Sequence, residues 1–175
     1  MLFRETTLAG AFIVDLEPHE DDRGLFARTF CSREFAEHGL CEGFVQCNLS
    51  YNHRRGTLRG MHFQRPPYGE AKLVRCVAGA IYDVIIDLRR DSPTFCKWLS
   101  VELTSSNRRA LYVPPDFAHG FQTLTDRAEV FYQMSEFYHD DHAAGVRWDD
   151  RAIGIEWPIA DPILSERDAS YPDFG

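Results

Sequence analysis

Short segments of alternating apolar and polar residues recur along the whole chain, and this pattern most constrains the fold. Alternation with a period of two is typical of strands with one buried face. Turn residues such as Pro66-Pro67, Ala78-Gly79 and Asp91-Ser92-Pro93 stand between the segments. The predicted strands are 10–16, 43–50, 71–77, 80–88, 98–103, 109–113 and 129–136. Many short strands joined by short turns predict an all-β sandwich, jelly roll or barrel.

Two short helices complete the prediction. Ser32 is expected to cap a helix that runs to Glu37 and ends at Gly39. A second helix is expected to start at Ser165, because Ser165-Glu166-Arg167-Asp168 has the layout of a capping box. No repeat, low-complexity tract or linker interrupts the sequence, so residues 1–175 are predicted to form one domain.

The composition excludes several classes of function. A net charge of −8 disfavours non-specific binding to nucleic acid or to an anionic membrane. No apolar run approaches the ~20 residues that span a bilayer, and the first residues lack the layout of a signal peptide, so a cytoplasmic location is expected. The cysteines are odd in number and show no CxxC pairing, which favours free thiols over a disulfide framework or a zinc site.

Two histidine segments resemble the two metal-binding motifs of the cupin family. In the polar segment 57–64, apolar and polar residues alternate so that in a strand His62 would share a face with Gln64, and His119 follows a proline-rich turn. Cupins that bind a metal carry a second histidine where this chain has Gln64, and a glycine where it has Asp116. His62, Glu70 and His119 remain a possible metal site, but glutamine is a poor ligand for first-row metals. The sequence therefore favours a site without a metal or other cofactor.

Polar residues on the neighbouring strands make His62 a candidate for function rather than for the core. Arg59 lies on the same segment, and Lys72 opens the next strand. Asp83 and Asp87 share a face on the strand after that. Charged groups on the strands of an apolar sandwich are costly unless they line a cavity that uses them.

Two further residues have ordinary structural interpretations when each is considered alone. Tyr132 lies mid-strand, where most tyrosines are core aromatics. Asp168 fits the capping box of the second helix.

Taken together, these segments resemble the dTDP-4-dehydrorhamnose 3,5-epimerase family. No single segment is specific, but their order and spacing match over nearly the whole chain. The matching segments are 21–26, 46–50, 58–64, 72–75, 83–89, 113–121, 147–150, 155–158 and 164–168.

The resemblance implies a metal-independent cupin-fold enzyme, usually a homodimer, that needs no cofactor. Such enzymes invert C3 and C5 of a 4-keto-6-deoxyhexose carried on dTDP, on the way to dTDP-L-rhamnose for cell-envelope polysaccharide. By resemblance, His62 is the general base and Asp168 orients its ring. Tyr132 is then the acid on the opposite face of the sugar, and Lys72 stabilises the enolate oxygen.

The resemblance also implies a set of substrate contacts. Arg59 and His119 are expected to line the sugar and phosphate end of the site, with Gln46 and Asn48 as hydrogen-bonding neighbours. Tyr138 is expected to pack near the base. Arg23 and Phe26 are expected to close the nucleotide site across the dimer. The set is Arg23, Phe26, Gln46, Asn48, Arg59, His119 and Tyr138.

The chain departs from the family pattern at three positions. Arg28 replaces a common glutamate, Ser50-Tyr51-Asn52 replaces Ser-x-Ser, and Gln133 replaces a frequent lysine. The change at Arg28 reverses a charge near the nucleotide, so the identity of the nucleotide and of the sugar is left open. Three hypotheses therefore stand: a 3,5-epimerase, an epimerase of one carbon or of another keto sugar, and a metal-dependent or sugar-binding cupin.

Overall fold

The computed structural model describes residues 1–174, which form thirteen β-strands and two short α-helices. The helices are α1 (Ser32–Glu37) and α2 (Glu166–Ala169), and one turn of 3-10 helix spans Asp140–His142. The strands are β1 (Leu2–Glu5), β2 (Phe12–Asp15), β3 (His19–Asp21), β4 (Gly24–Phe26), β5 (Gln46–Asn52), β6 (Leu58–Gln64), β7 (Lys72–Ala78), β8 (Ala80–Asp87), β9 (Trp98–Thr104), β10 (Ala110–Val113), β11 (Phe117–Thr123), β12 (Ala128–Met134) and β13 (Ala143–Gly145). Within these residues, no helix has the length and apolar character needed to cross a bilayer.

The strands form two main antiparallel sheets that face each other. One has six strands in the order β1-β2-β10-β7-β12-β5, and the other has five in the order β13-β6-β11-β8-β9. Strands β3 and β4 form a separate hairpin, here called the arm. The two facing sheets make a jelly roll, which confirms the all-β fold class predicted from the sequence.

Apolar side chains from the inner faces of both sheets form one core. The six-stranded sheet contributes Val74, Leu111 and Val130, and the five-stranded sheet contributes Ile85 and Leu103. All five are almost completely buried. Burial of these side chains is the main force that holds the sheets together, at roughly 1.5–3 kcal/mol for each large aliphatic side chain.

Helix α1 covers the outer face of the six-stranded sheet through Phe35, its one buried residue. Phe35 makes edge-to-face contacts with Phe3 and Phe30. Six residues are too few for a stable isolated helix, so this packing holds α1 in place. The helix spans the predicted residues, but the prediction that Ser32 caps it was wrong. Cys31 occupies the N-cap position and makes no side-chain capping bond, because Ser32 already lies within the helix.

The strands that the sequence misplaced are those whose bounds depend on a partner. Strand β5 was predicted at 43–50, but it spans Gln46–Asn52 because it pairs along its whole length with β12. The short strands β1, β3, β4 and β13 were not predicted, and neither was the longer strand β11. All of its residues are buried, so its sequence shows no alternation of polar and apolar side chains.

The expectation that Asp87 lines a cavity was wrong, because its carboxylate organises a loop instead. Asp87 accepts hydrogen bonds from Arg89, Ser92 and Thr94. Arg89 also donates to the carbonyl oxygen of Ala9 and thereby ties the N-terminal segment to this loop. Burial raises the pKa of Asp87, but the hydrogen bonds outweigh burial and lower that pKa from 3.8 to about 2.

We predict that Asp87→Asn lowers the free energy of unfolding at pH 7 by about 2 kcal/mol. The pKa of Asp87 is lower in the folded chain, so its carboxylate stabilises the fold above pH ~4. This contribution is lost as the pH falls towards about 2. Urea unfolding at a series of pH values measures the effect, and the variant should show a flatter acid limb. Asp91→Asn, at an exposed position of the same loop, is the control and should leave the profile unchanged.

Candidate active site

A cavity of about 660 Å³ opens between the two sheets, and polar side chains from both sheets line it. Its walls bring together every site residue predicted from the sequence except the two on the arm. The polar and charged side chains that line the cavity are Gln46, Asn48, Ser50, Tyr51, Arg59, His62, Gln64, Glu70, Lys72, His119, Tyr132, Tyr138, Ser165, Arg167 and Asp168.

The arm residues lie outside the cavity of their own chain. Arg23 pairs with Asp21, and its side chain is 90% exposed. Phe26 is 73% exposed and borders a separate surface pocket. Arg28 is also exposed, and its Nη1 donates to Glu34 at 2.6 Å. A role of Arg23 and Phe26 in the site of a second copy stays a prediction.

His62 and Asp168 form a hydrogen-bonded pair at one wall of the cavity. Nε2 of His62 lies 2.7 Å from Oδ1 of Asp168. The carboxylate is almost completely buried, whereas the imidazole is 41% exposed. Burial raises the pKa of Asp168, but the hydrogen bond and the attraction to His62 outweigh burial, and the net shift of that pKa is downward. Asp168 is therefore an anion that can orient the ring and stabilise an imidazolium.

Helix α2 places Asp168 at this position. The helix has only four residues, and Oγ of Ser165 caps it by accepting a hydrogen bond from the backbone amide of Asp168. The amide of Asp168 is thus part of the helix cap, and its carboxylate bonds His62.

Two glycines let the strands that carry the histidines approach closely. A Cβ on Gly60 would lie 2.5 Å from Cα of Gly120, and Gly60 has a φ of +140° that disfavours other residues. Strands β6 and β11 therefore meet without side chains at this point. His62 and His119 face each other in register beside the contact.

His119 forms a second pair with a carboxylate, deeper in the structure. Its Nε2 lies 2.8 Å from Oδ1 of Asp83, which is completely buried. Burial raises the pKa of Asp83, although attraction to His119 and Lys72 opposes the shift. Within residues 1–174, the other carboxylate oxygen of Asp83 makes no hydrogen bond. The two carboxyl groups thus differ, because the pKa of Asp83 is raised whereas that of Asp168 is lowered.

Lys72 projects from the opposite sheet and pairs with Glu70. Its Nζ lies 2.9 Å from Oε1 of Glu70 and 3.4 Å from the carbonyl oxygen of His62. The ammonium group has three N–H donors, so one remains for a group in the cavity. In the possible metal trio, Nε2 of His62, Nε2 of His119 and Oε1 of Glu70 are each engaged with another residue. Among the described residues, no three side chains of His, Cys, Asp or Glu are arranged to hold a metal ion.

Gln64 supports a loop at the position where a metal-binding cupin has a ligand. Its amide nitrogen donates to the carbonyl oxygens of Tyr68 and Phe137, and its amide oxygen accepts from the backbone of His139. The bonds to Phe137 and His139 hold the segment that carries Tyr138 against the cavity.

Tyr132 lies on the sheet opposite His62. It occupies β12, where it pairs in register with Asn48 of β5. Burial raises the pKa of Tyr132, and the positive charge of Arg59 opposes this shift only in part. No hydrogen bond from residues 1–174 engages its hydroxyl group under the usual geometric limits. Tyr132 is thus a protonated phenol that is free to donate to a ligand.

Arg167 is a site residue that the sequence did not reveal. Arg167 donates from Nε to Tyr171 at 2.8 Å and from Nη1 to Tyr138 at 3.4 Å. Arg59 donates to Asn52 at 2.8 Å. Within the described chain, neither guanidinium pairs with a carboxylate, so both are available to an anion. The only sequence signal was a cation next to Asp168 on the short helix.

We predict that Glu70→Gln and Lys72→Met each lower the free energy of unfolding by about 3–5 kcal/mol, because each leaves a buried charge without its partner. The double variant should be destabilised by less than the sum of the two, since no unpaired charge remains. Urea unfolding of the four proteins completes the cycle. Additive losses would show that the two residues do not act as a pair.

Comparison with known proteins identifies the family. The family model described as dTDP-4-dehydrorhamnose 3,5-epimerase matches residues 5–175. A relative from Methanothermobacter thermautotrophicus with the same name is 46% identical over 97% of this chain and 92% of its own. The crystal structure of dTDP-4-dehydrorhamnose 3,5-epimerase from Bacillus anthracis, with TDP and PPi bound, is 42% identical with a TM-score of 0.96 over 99% of both chains.

A crystal structure of a 3′-monoepimerase shares the same fold. This protein from Streptomyces bikiniensis, in complex with dTDP-quinovose, is 34% identical with a TM-score of 0.89, over 96% of this chain and 85% of that chain. Overall likeness therefore does not separate epimerases of one carbon from those of two. The match of the family model and the identity to curated relatives show that the chain belongs to the dTDP-4-dehydrorhamnose 3,5-epimerase family.

Proposed function

We propose that the protein converts dTDP-4-dehydro-6-deoxy-D-glucose to dTDP-4-dehydro-L-rhamnose by inverting C3 and C5. The observation that carries this proposal is the placement of a base and an acid on opposite walls of one cavity. His62, paired with Asp168, lies on the five-stranded sheet, and Tyr132 lies on the six-stranded sheet. A sugar ring held between them presents one face to each.

The first step is removal of the proton on the carbon next to the ketone. Nε2 of His62 bonds Asp168, so Nδ1 is the nitrogen that accepts the proton. Asp168 then stabilises the imidazolium that forms, as a buried carboxylate does in other paired histidines. The electron pair of the broken C–H bond moves into the C–C bond and onto the ketone oxygen, which gives an enolate.

The enolate needs a cation at its oxygen. Lys72 is the cation held at the cavity wall, fixed by Glu70 and by the carbonyl oxygen of His62, with one N–H donor left. A charge that is positioned in advance stabilises the transition state without further rearrangement.

The second step is protonation from the opposite face, which is what inverts the carbon. Tyr132 supplies this proton and leaves a phenolate, which water reprotonates, while the imidazolium returns its proton to water. The raised pKa of Tyr132 keeps the donor protonated at neutral pH. No electrons are exchanged with a cofactor, so the reaction balances with solvent protons alone.

The nucleotide end of the substrate requires cations for two phosphates. Arg59, Arg167 and His119 line the cavity, and both guanidiniums lack a carboxylate partner within the described chain. Bidentate guanidinium groups suit phosphate oxygens. The related crystal structure with TDP and PPi bound supports this assignment. Gln46, Asn48 and Tyr138 supply neutral hydrogen-bonding groups, which we assign to the sugar and base.

Inversion of only one carbon is the second candidate function. It is retained because a related protein with the same fold is a 3′-monoepimerase. The same base and acid serve both reactions, so the outcome depends on how the sugar ring can turn within the cavity. The cytoplasmic location expected from the sequence remains a prediction.

We predict that His62→Ala abolishes both solvent deuterium exchange and inversion with dTDP-4-keto-6-deoxyglucose in D₂O. Tyr132→Phe removes only the second proton donor, so inversion should fall by ~10²–10⁴-fold while exchange with retention falls less. Asp168→Asn should give an intermediate loss of both. Mass spectrometry counts the deuterons, and NMR locates them at C3, C5 or both.

The matched control for the phenol is Tyr82→Phe, since Tyr82 packs against Trp157 outside the cavity and should leave both rates unchanged. Equal losses of exchange and inversion in Tyr132→Phe would show that its assigned role is wrong.

We further propose that the protein acts as a homodimer in which the arm of one copy closes the cavity of the other. Every residue of β3 and β4 is exposed, and the arm carries the apolar side chain of Phe26. The cavity rim lies at edge strand β5, where Leu49 and Tyr51 are 61% and 42% exposed. A second copy would cover both apolar surfaces and the free edge.

This arrangement predicts rescue in mixed dimers. The double variant Arg23→Ala/Phe26→Ala should lose affinity for the substrate, and His62→Ala should be inactive. Dissociation and reassociation of a mixture should restore activity, because mixed dimers contain one site with an intact His62 and an intact arm from the other copy. No rescue, or a fully active monomer in analytical ultracentrifugation, would contradict the proposal.

A further inference from the structure

Tyr171, which follows helix α2, packs directly against the strand that pairs with His62. A Cβ at Gly145 would overlap the Tyr171 ring, so only glycine permits this contact. Gly145 lies in register with His62. The Tyr171 ring meets the His62 imidazole edge-to-face, with 5.8 Å between ring centroids and 68° between planes. This geometry is the favourable one for a pair of aromatic rings.

The hydroxyl group of Tyr171 makes a separate contact with a second site residue. It accepts a hydrogen bond from Nε of Arg167 at 2.8 Å. Nη1 of Arg167 lies 3.4 Å from the hydroxyl group of Tyr138, which in turn donates to Asp140. The Arg167 guanidinium is therefore held between two phenols at the cavity wall.

The chain after α2 is fixed from the other side as well. The carbonyl oxygen of Pro172 accepts from the backbone amide of Arg147 at 3.2 Å, and Phe174 packs against Phe95. A helix of four residues is not stable alone, so the Ser165 cap and the contacts of Tyr171 hold α2 itself in place.

We propose that Tyr171 is a positioning residue for the reaction: its ring holds the His62 imidazole in place, and its hydroxyl group aims Arg167 at the substrate. The proposal rests on the proposed function, in which His62 is the base and Arg167 binds phosphate. The two contacts have different kinetic consequences, because His62 acts in the chemical step and Arg167 acts in binding.

Tyr171→Phe keeps the ring and removes the hydroxyl group. We expect KM to rise about tenfold, since Arg167 loses a fixed hydrogen bond, while kcat stays within about twofold. Tyr171→Ala also removes the ring. Besides the rise in KM, we expect kcat to fall by about 10- to 100-fold, because a small displacement of the base slows proton transfer. Phe174→Ala loosens the same tail away from the site and is the control, with both constants unchanged.

Gly145→Ala tests the ring contact without changing Tyr171. Its backbone lies outside the left-handed region, so alanine is tolerated there except for the overlap with the ring. We expect Gly145→Ala to lower kcat as Tyr171→Ala does, and to have little further effect in the Tyr171→Ala background. This variant also provides a test if Tyr171→Ala does not fold.

NMR of the His62 ring protons provides a measurement that does not depend on activity. An aromatic ring at this distance shifts those signals. The shift should persist in Tyr171→Phe and Phe174→Ala and disappear in Tyr171→Ala. Unchanged His62 signals in Tyr171→Ala, or equal kcat in the Phe and Ala variants, would overturn the proposal. Failure of the proposed function would instead appear as an inactive wild-type protein whose His62 signals still respond.

Discussion

The pairing of charges inside the cavity is the constraint on which the site depends. Two apolar sheets create a space where an isolated charge is unstable, and three carboxylates there each hold a cationic or titratable partner: Asp168 with His62, Asp83 with His119, and Glu70 with Lys72. The two arginines of the cavity wall have no such partner within residues 1–174. The protein alone therefore leaves positive charge uncompensated where a diphosphate would lie.

The same constraint explains why the two proposed proton carriers differ. The base at one wall is hydrogen-bonded to a buried carboxylate, which lies beside the positive charge that forms when the base accepts a proton in the reaction. The phenol at the opposite wall is bonded to no residue of the described chain, and burial raises the pKa of Tyr132. One side chain is thus arranged to gain a proton and the other to keep one until a carbanion-like carbon accepts it.

Local patterns in the sequence were sufficient for the fold but not for the whole site. Alternation, apolar runs and the turn residues between segments located most of the longer strands. They missed β11, which is buried on both faces, and the short strands β1, β3, β4 and β13, and they misplaced the bounds of β5, which its partner sets. Tyr132 and Asp168 were chosen only by resemblance, since each has a common structural role. Arg167 and Tyr171 were missed because they lie near the end of the chain, and the residues that they contact at the site, Tyr138 and His62, are far away in the sequence.

Gln64 shows how a single side chain separates this site from a metal-binding cupin. Its amide nitrogen donates to the carbonyl oxygens of Tyr68 and Phe137, and its amide oxygen accepts from the backbone of His139, so two of its three hydrogen bonds hold the segment around Tyr138. A neutral histidine has one donor and one acceptor, and a histidine that binds a metal has only one donor left. Support of this loop and ligation of a metal therefore exclude each other at this position. Glutamine fixes the loop that borders the cavity and leaves the partner of His62 to be supplied by Asp168.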